Sequence, residues 1–265
     1  MILNLEDGDY FGKHVKSLDN SFFKLSITCN EPNSKTERHY HNNDYVSILS
    51  VGNYYERNKN NSLVKTGDIV FRPKEYTHEN QFDAYRSTCF NIEFKSDWKK
   101  VLDLNQGLPS SFTHYKSGCF PSLYKLLYSF LNDCNEDLAY ELISDWIFQI
   151  NPDSKTLKYQ TWIKKVVSIV ENELAVFHTL DGLSERVFVH PTYLARAFKE
   201  KIGLTIGEYQ IKSKLSNAIN LLLNTSHSIS EISFRNGFYD DAHFIRSFKS
   251  VYNVSPHQFR LTIKK

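Results

Sequence analysis

The sequence predicts an α+β chain of two domains. Residues 1–150 read as an antiparallel β domain followed by helices. Residues 157–265 read as an all-α domain with two helix-turn-helix units. Three observations lead there: the apolar period changes near Pro121, a polar linker follows at 151–156, and one helical segment occurs twice. The 265 residues suffice for two modest cores. With 41% hydrophobic and 23% charged residues the chain is of globular composition. No apolar run approaches the roughly 20 residues of a membrane span. The opening MILNLEDGDYF lacks the basic-then-apolar order of a signal peptide. A cytoplasmic protein with no membrane contact is therefore expected. Cys29, Cys89, Cys119 and Cys134 have no close pair spacing, which predicts reduced thiols instead of a disulfide framework or zinc knuckle.

Residues 21–98 alternate apolar and polar side chains in short runs, FFKLSIT, YVSILSVG, DIVFRP and STCFNIEF, separated by the turn signals NKNNS and KTGD. That is the pattern of antiparallel strands. From Pro121, Leu123, Leu126, Leu127, Phe130 and Leu131 recur at three-and-four spacing, with the proline suited to a first helical turn. Leu138, Leu142, Ile143, Trp146 and Ile147 make a second such stripe. Both stripes are wider than one core face needs. NPDSKT (151–156) combines Pro, Asp and Ser between helical patterns and reads as the linker. Beyond it the chain reads helical throughout.

The repeat lies in that helical part. LARAFKEKIGLT (194–205) aligns with FIRSFKSVYNVS (244–255) at an offset of 50. Arg196 meets Arg246, Phe198 meets Phe248 and Lys199 meets Lys249. Upstream the offset is 49, so Leu180, Leu183 and Ser184 meet Ile229, Ile232 and Ser233. The one-residue slip falls in a turn. Two copies with unlike flanks fit a duplicated helix-turn-helix better than a solenoid. In the second copy Ser228 and Glu231 form a capping box, Gly237 can take positive φ to end the helix, and Asp240 can cap the next. Phe244, Phe248 and Val251 then share one face, with Ala242, Arg246 and Lys249 opposite. Thr192, Arg196 and Lys199 occupy the same strip of the first copy.

A small residue near the start of such a helix lets it approach a groove. An arginine one turn on reaches guanine O6 and N7, and a lysine beyond it reaches phosphate. Charge points the same way. Residues 157–265 carry 15 Lys and Arg against 9 Asp and Glu, whereas residues 1–156 carry 17 against 21. A basic second half beside an acidic first half suits a polyanionic partner, double-stranded DNA, for the second half alone.

HPTYLARAFKEKIGLTIGEY and SISEISFRNGFYDDAHFIRSFKSVYNVSPHQFR resemble the DNA-binding domain of AraC/XylS-type transcription regulators over about residues 160–262. The resemblance implies a helix over about 206–224 joining two helix-turn-helix units whose recognition helices enter successive major grooves. It implies base contacts from Thr192, Ala195 and Arg196, then Asp241, Ala242, Ile245 and Arg246, with phosphate contacts from Lys199 and Lys249. It further implies a ligand-responsive regulator, an activator by expectation, with RNA polymerase as partner and a homodimer formed through the helices of 121–150, at Leu127 and Leu142 among others. Phe188 and Asn253 stand where the family more often has glycine; asparagine tolerates left-handed φ.

HYHNND (39–44) and GDIVFRPKEYTH (67–78) resemble the two cupin motifs over about residues 15–100, with Glu75 in place of a usual glycine. His39, His41 and His78 could converge on a divalent metal with Asp44 as a fourth ligand. Sensors of the resembled regulators are typically metal-free, so no metal and no cofactor is expected, and the histidines are read as part of an effector pocket. His39, His41, Tyr45, Phe71, His78 and Phe90 are the expected ligand contacts, in a barrel whose inward candidates also include Phe23, Ile48 and Ile92. The chain is expected to have no catalytic residues; the alternative is a cupin metalloenzyme with an accessory DNA-binding domain.

Overall fold

The computed structural model describes residues 2–20, 22–58, 61–96, 98–101, 107–132, 135–151 and 161–264. All of the expected linker except Asn151 lies outside these. The chain forms two compact units, Met1–Pro152 together with Gln258–Lys265, and Asp153–His257. The closing residues, which the sequence placed in the second domain, thus group with the first.

The first unit is built on β1 (Leu3–Leu5), β2 (Lys13–Asp19), β3 (Phe23–Asn30), β4 (His39–His41), β5 (Asp44–Val51), β6 (Asn53–Arg57), β7 (Asn61–Lys65), β8 (Ile69–Arg72), β9 (Glu79–Phe82), β10 (Ser87–Phe94) and β11 (Thr113–Tyr115). Between β10 and β11 lies the short α1 (Trp98–Val101), and α2 (Pro121–Asn132) and α3 (Glu136–Ile150) follow β11. Hydrogen bonding sorts the strands into a six-stranded sheet, β11-β8-β5-β10-β3-β2, a three-stranded sheet, β7-β6-β9, and the pair β1-β4. All pairs are antiparallel except β1-β4, which is parallel.

Register decides which side chains face which way, because residues directly opposite in an antiparallel pair share a face. Phe90 pairs with Ile27 and Ile48, and Ile92 with Leu25 and Val46. Phe71 pairs with Val46. This apolar face meets the helices: the Phe90 ring lies 5.2 Å from Phe130 on α2, Phe94 lies 6.0 Å from Trp146 on α3, and Phe23 lies 5.2 Å from Tyr140. The other face carries Tyr45, Ser47, Arg72 and Asn91, in register with Glu93 and Ser26. The expectation is corrected here. Of the six residues placed inside the barrel, Phe23, Ile48, Phe71, Phe90 and Ile92 lie on the helix-covered side, and Tyr45 alone faces inward. The stripes of α2 and α3 are consumed the same way. Leu127 is fully buried and Leu142 is 6% exposed, so both pack within their own chain and neither is available as a dimer contact. Cys29, Cys89 and Cys119 are free thiols.

The second unit contains α4 (Thr161–Asn172), α5 (Leu180–Val187), α6 (Pro191–Ile202), α7 (Ile206–Asn224), α8 (Ile229–Arg235) and α9 (Asp241–Tyr252). A last helix, α10 (Pro256–Ile263), begins at its end. Local chemistry starts these helices. Thr205 with Glu208 and Ser228 with Glu231 are complete capping boxes, Asp240 accepts the His243 N–H, and Pro191 opens α6. Leu183, Val187, Leu194, Phe198 and Ile206 close on Ile163, Val166 and Val170 of α4 to form the core of the first copy. Phe238, Phe244, Phe248 and Tyr252 stack in sequence in the second.

The repeat extends to the backbone. The N–H of Val189 donates to the Ser184 carbonyl at 3.1 Å, and that of Phe238 to the Ser233 carbonyl at 3.2 Å. The residue before each donor is left-handed, Phe188 at φ 56° and Gly237 at φ 62°. Surroundings differ sharply. Phe188 is 92% exposed, so its ring gains little packing to offset a conformation that costs an L-residue about 1–2 kcal/mol. A Cβ on Gly237 would stand 2.5 Å from the Ala175 carbonyl oxygen. Equivalent substitutions should therefore have opposite signs. Phe188→Gly should stabilise the helical unit by about 0.5–1 kcal/mol after the entropy cost of glycine. Gly237→Ala should destabilise it by about 2–4 kcal/mol. Urea unfolding followed by helical circular dichroism checks both.

Candidate functional site

Helices α6 and α9 hold the expected contact residues on their outer faces. Thr192, Arg196 and Lys199 are exposed on α6, as are Ala242, Ile245, Arg246 and Lys249 on α9; Ala195 is half-buried. Leu194 and Phe198, and Phe244 and Phe248, turn inward as full core residues. The Arg196 guanidinium lies 5.9 Å above the Tyr193 ring, a contact that holds its long side chain along the helix. Asp241 differs from the rest. It is half-buried, and its carboxylate accepts a hydrogen bond from Ser230 Oγ on α8, which ties α9 to the helix before it.

Sequence reasoning missed what positions these faces. On α7, Gln210 and Lys214 are one turn apart and each is 5% exposed. The Gln210 amide receives the His178 N–H at 3.1 Å and donates to the His178 carbonyl at 2.9 Å. His178 lies two residues before α5, next to its N-cap Thr179. The Lys214 ammonium donates to the Gly237 carbonyl at 2.5 Å, in the turn between α8 and α9, and lies 5.7 Å from the Phe238 ring. Asn217 Nδ2 bonds Asn236 Oδ1 at 2.8 Å. One face of α7 therefore grips the first helix pair at its entrance and the second at its turn. The signal was a polar pair, at i and i+4, inside an otherwise apolar helix face. Gln210→Leu leaves both His178 groups without a partner. It should lower unfolding free energy by about 2–4 kcal/mol in chemical denaturation, with α6 and α9 still helical.

The first unit contains a partly open cavity of about 40 Å³, room for roughly three waters at about 10–15 Å³ each. Its lining includes His39, His41, Tyr45 and His78, but neither Phe71 nor Phe90. Below it, Arg72 and Glu56 form a buried ion pair, 2% and 1% exposed. Arg72 Nε reaches Glu56 Oε1 at 2.8 Å, and its other nitrogens bond Ser47 Oγ at 3.2 Å and Tyr54 Oη at 2.7 Å. A buried charge pair is tolerable only when its remaining valences are met in this manner. Asn91 continues the network, accepting from Ser47 at 2.8 Å and donating to Thr28 at 3.2 Å.

The three histidines converge above this floor. Ring centroids are 4.2 Å apart for His39 and His78, 5.2 Å for His39 and His41, and 5.9 Å for His41 and His78. Burial pushes His39 down to about 4, His41 to about 3 and His78 well below the ordinary histidine value, so all three rings are neutral at pH 7. Asp44 does not join them: its Oδ1 accepts the Lys74 N–H at 2.8 Å, and the fourth-ligand expectation fails for it. Tyr10 and Phe11, absent from the sequence-based set, cover the cavity, 5.0 Å from the His41 ring and 4.8 Å from the His39 ring respectively.

Comparison with known proteins bears on the helical unit. Residues 183–262 match a family described as a helix-turn-helix domain. An uncharacterised helix-turn-helix transcriptional regulator of Haemophilus influenzae is 28% identical over 240 residues, covering 76% of this chain and 80% of its own. The helix-turn-helix transcriptional activator RhaS of Salmonella paratyphi B is 30% identical over 110 residues, 42% of this chain and 37% of its own. An uncharacterised helix-turn-helix transcriptional regulator of Bacillus subtilis, YtdP, is 26% identical over 128 residues, 48% of this chain and 16% of its own. This chain thus spans well under half the length of two of the three. Among the described residues, no helix is long and apolar enough to cross a membrane.

Proposed function

We propose that this chain, whose residues 183–262 match a helix-turn-helix family and resemble the AraC-type DNA-binding domain, is a sequence-specific DNA-binding transcription regulator that answers to a small effector held in its β-rich unit. The observation that carries the reading is the duplicated helix pair. Two recognition helices present arginine and lysine at the same positions of the same solvent-facing strip. Similarity to proteins named as transcriptional regulators and as a transcriptional activator supports it.

In this reading α6 and α9 enter successive major grooves. Arg196 and Arg246 read guanine edges, Lys199 and Lys249 neutralise phosphates, and the short side chains of Ala195 and Ala242 let the helix axes come close. Thr192 and Ile245 add hydrogen-bond and methyl contacts, while Asp241 acts through its bond to Ser230. His39, His41, Tyr45 and His78 contact the effector in a cupin-like sensor, about residues 1–150, and about 157–265 bind DNA. The protein works in the cytoplasm as an activator and a homodimer that engages RNA polymerase, and it catalyses no reaction.

The test begins with duplexes selected from a random pool by the purified protein. Arg196→Ala and Arg246→Ala should each cost about 1–3 kcal/mol on the selected site and relax preference at one or two base pairs. Lys199→Ala and Lys249→Ala should weaken binding to selected and random duplexes alike, each reducing the salt slope by about 1. Fluorescence anisotropy at several salt concentrations separates the two patterns. Arginine variants that lose equal affinity for random DNA would remove the base-reading role.

A further inference from the structure

We propose that Tyr193 is a positioning residue for Arg196, so that the half-site under α6 is read more sharply than the half-site under α9. The proposal deepens the DNA-binding reading and rests on it.

The repeat supplies its own control. At the offset of 50 that aligns Arg196 with Arg246, Tyr193 aligns with His243. Each arginine therefore has a ring three residues before it, a spacing at which side chains are neighbours on a helix surface. The two copies use that spacing differently. In the first, the Arg196 guanidinium lies 5.9 Å from the centre of the Tyr193 ring, within the reach of a cation–π contact. In the second, His243 is half-buried and turned to Phe238, edge-on at 5.4 Å and 81°. It joins the stack of Phe238, Phe244, Phe248 and Tyr252. Among the described residues, no ring stands in cation–π contact with Arg246.

Tyr193 is itself backed. Its ring lies 6.0 Å from Trp162 on α4, at 54°, a separation within the favourable range of aromatic pairs. Trp162 in turn packs against the core of the first helix pair. The line from Trp162 through Tyr193 carries the order of that core out to Arg196. Tyr193 is 41% exposed, so the end of this line stands at the surface beside the guanidinium.

Charge does not distinguish the two arginines. Among the described residues no carboxylate pairs with Arg196 or Arg246. Glu200, one turn beyond Arg196, is paired with Lys201 at 3.3 Å. What distinguishes them is conformational freedom. An unrestrained arginine gives up the rotamers of a long side chain when it docks on a base. An arginine already lying against a ring has given up part of them before DNA arrives. The brace does not compete with reading. Stacking uses the face of the planar guanidinium, whereas paired bonds to guanine O6 and N7 leave from its edge. A cation–π contact at an exposed site sets the scale of the effect at about 2- to 5-fold. It falls on discrimination, because random DNA rewards no fixed placement of the fork.

Fluorescence anisotropy on duplexes selected from a random pool tests this. Guanine is replaced by adenine at the base pairs that Arg196→Ala and Arg246→Ala identify. The parent should penalise the replacement under α6 about 2- to 5-fold more than the one under α9. Tyr193→Leu and Tyr193→Gln should both erase that excess. They should leave the α9 penalty, the affinity for random duplex, the salt slope and the helical circular dichroism as in the parent. Tyr193→Phe keeps the ring and should read as the parent does. In the Arg196→Ala background, Tyr193→Leu should change base preference no further. The brace is overturned by equal penalties in the parent, or by an excess that survives both ring-removing variants. It is also overturned by equal losses on random duplex, by a Tyr193→Phe that loses as much as they do, or by an effect that persists without Arg196. A parent whose base preference depends on neither arginine removes the DNA reading itself, so the two failures are told apart.

Discussion

Helix α7 is under a constraint that shapes everything around it: one element must present packing surfaces to two helix pairs at once. An apolar stripe alone would supply adhesion but no fixed register, since hydrophobic contact is non-directional. The buried Gln210 and Lys214 add direction. Each reaches a backbone group at a defined point, His178 before the first pair and Gly237 within the second. Burying an amide and an ammonium is costly unless their bonds are made, so the bonded arrangement is strongly preferred over any slipped one. The outward direction of α6 and α9, and with it the placement of both arginines, follows from this anchoring.

The β-rich unit solves a different problem with the same economy. Its six-stranded sheet is covered by α2 and α3 on the face that bears Phe90, Ile92 and Phe71, which satisfies the need for a hydrophobic core outside the cavity. The interior is thereby released from packing duty and can be polar. Arg72, Glu56, Tyr54, Ser47 and Asn91 fill its floor with mutually satisfied bonds, and the histidines sit above them without bulk water. Desolvation there keeps the rings neutral, and neutral rings have lone pairs to offer.

Much of the helical unit was legible because its signals are local. Ser228, Glu231, Asp240 and the three-and-four spacing of Phe244 and Phe248 each act within one or two turns, and the helix expected over 206–224 is present with those limits. Strand alternation was equally local and located the strands, but the inward set mixed two faces, since Tyr45 and Ile48 lie three apart on β5. Which face the helices cover is a tertiary fact that the period of two cannot express, so Phe71 and Phe90 were assigned to the cavity when they belong to its outer wall. The short β1, β2 and β11 escaped because three-residue strands and an exposed edge carry little periodicity. Gln210 and Lys214 escaped because polar residues at i and i+4 are ordinary on a wet helix surface. Only the fold reveals that this surface is dry.

The close approach of Gly237 to the loop at Ala175 carries a consequence in the geometry of DNA. The loop that leads into the first helix pair and the turn of the second touch one another, and α7 bonds both. In the DNA-binding reading proposed above, α6 and α9 act as a caliper whose two arms are held through α7. Each base pair inserted between two half-sites moves the second by about 3.4 Å and rotates it by roughly 35° around the duplex. A jointed reader absorbs such a step by bending its linker. A reader braced as proposed here would meet it by deforming the DNA or by releasing one groove, so the distance between half-sites would become part of the address as surely as their bases.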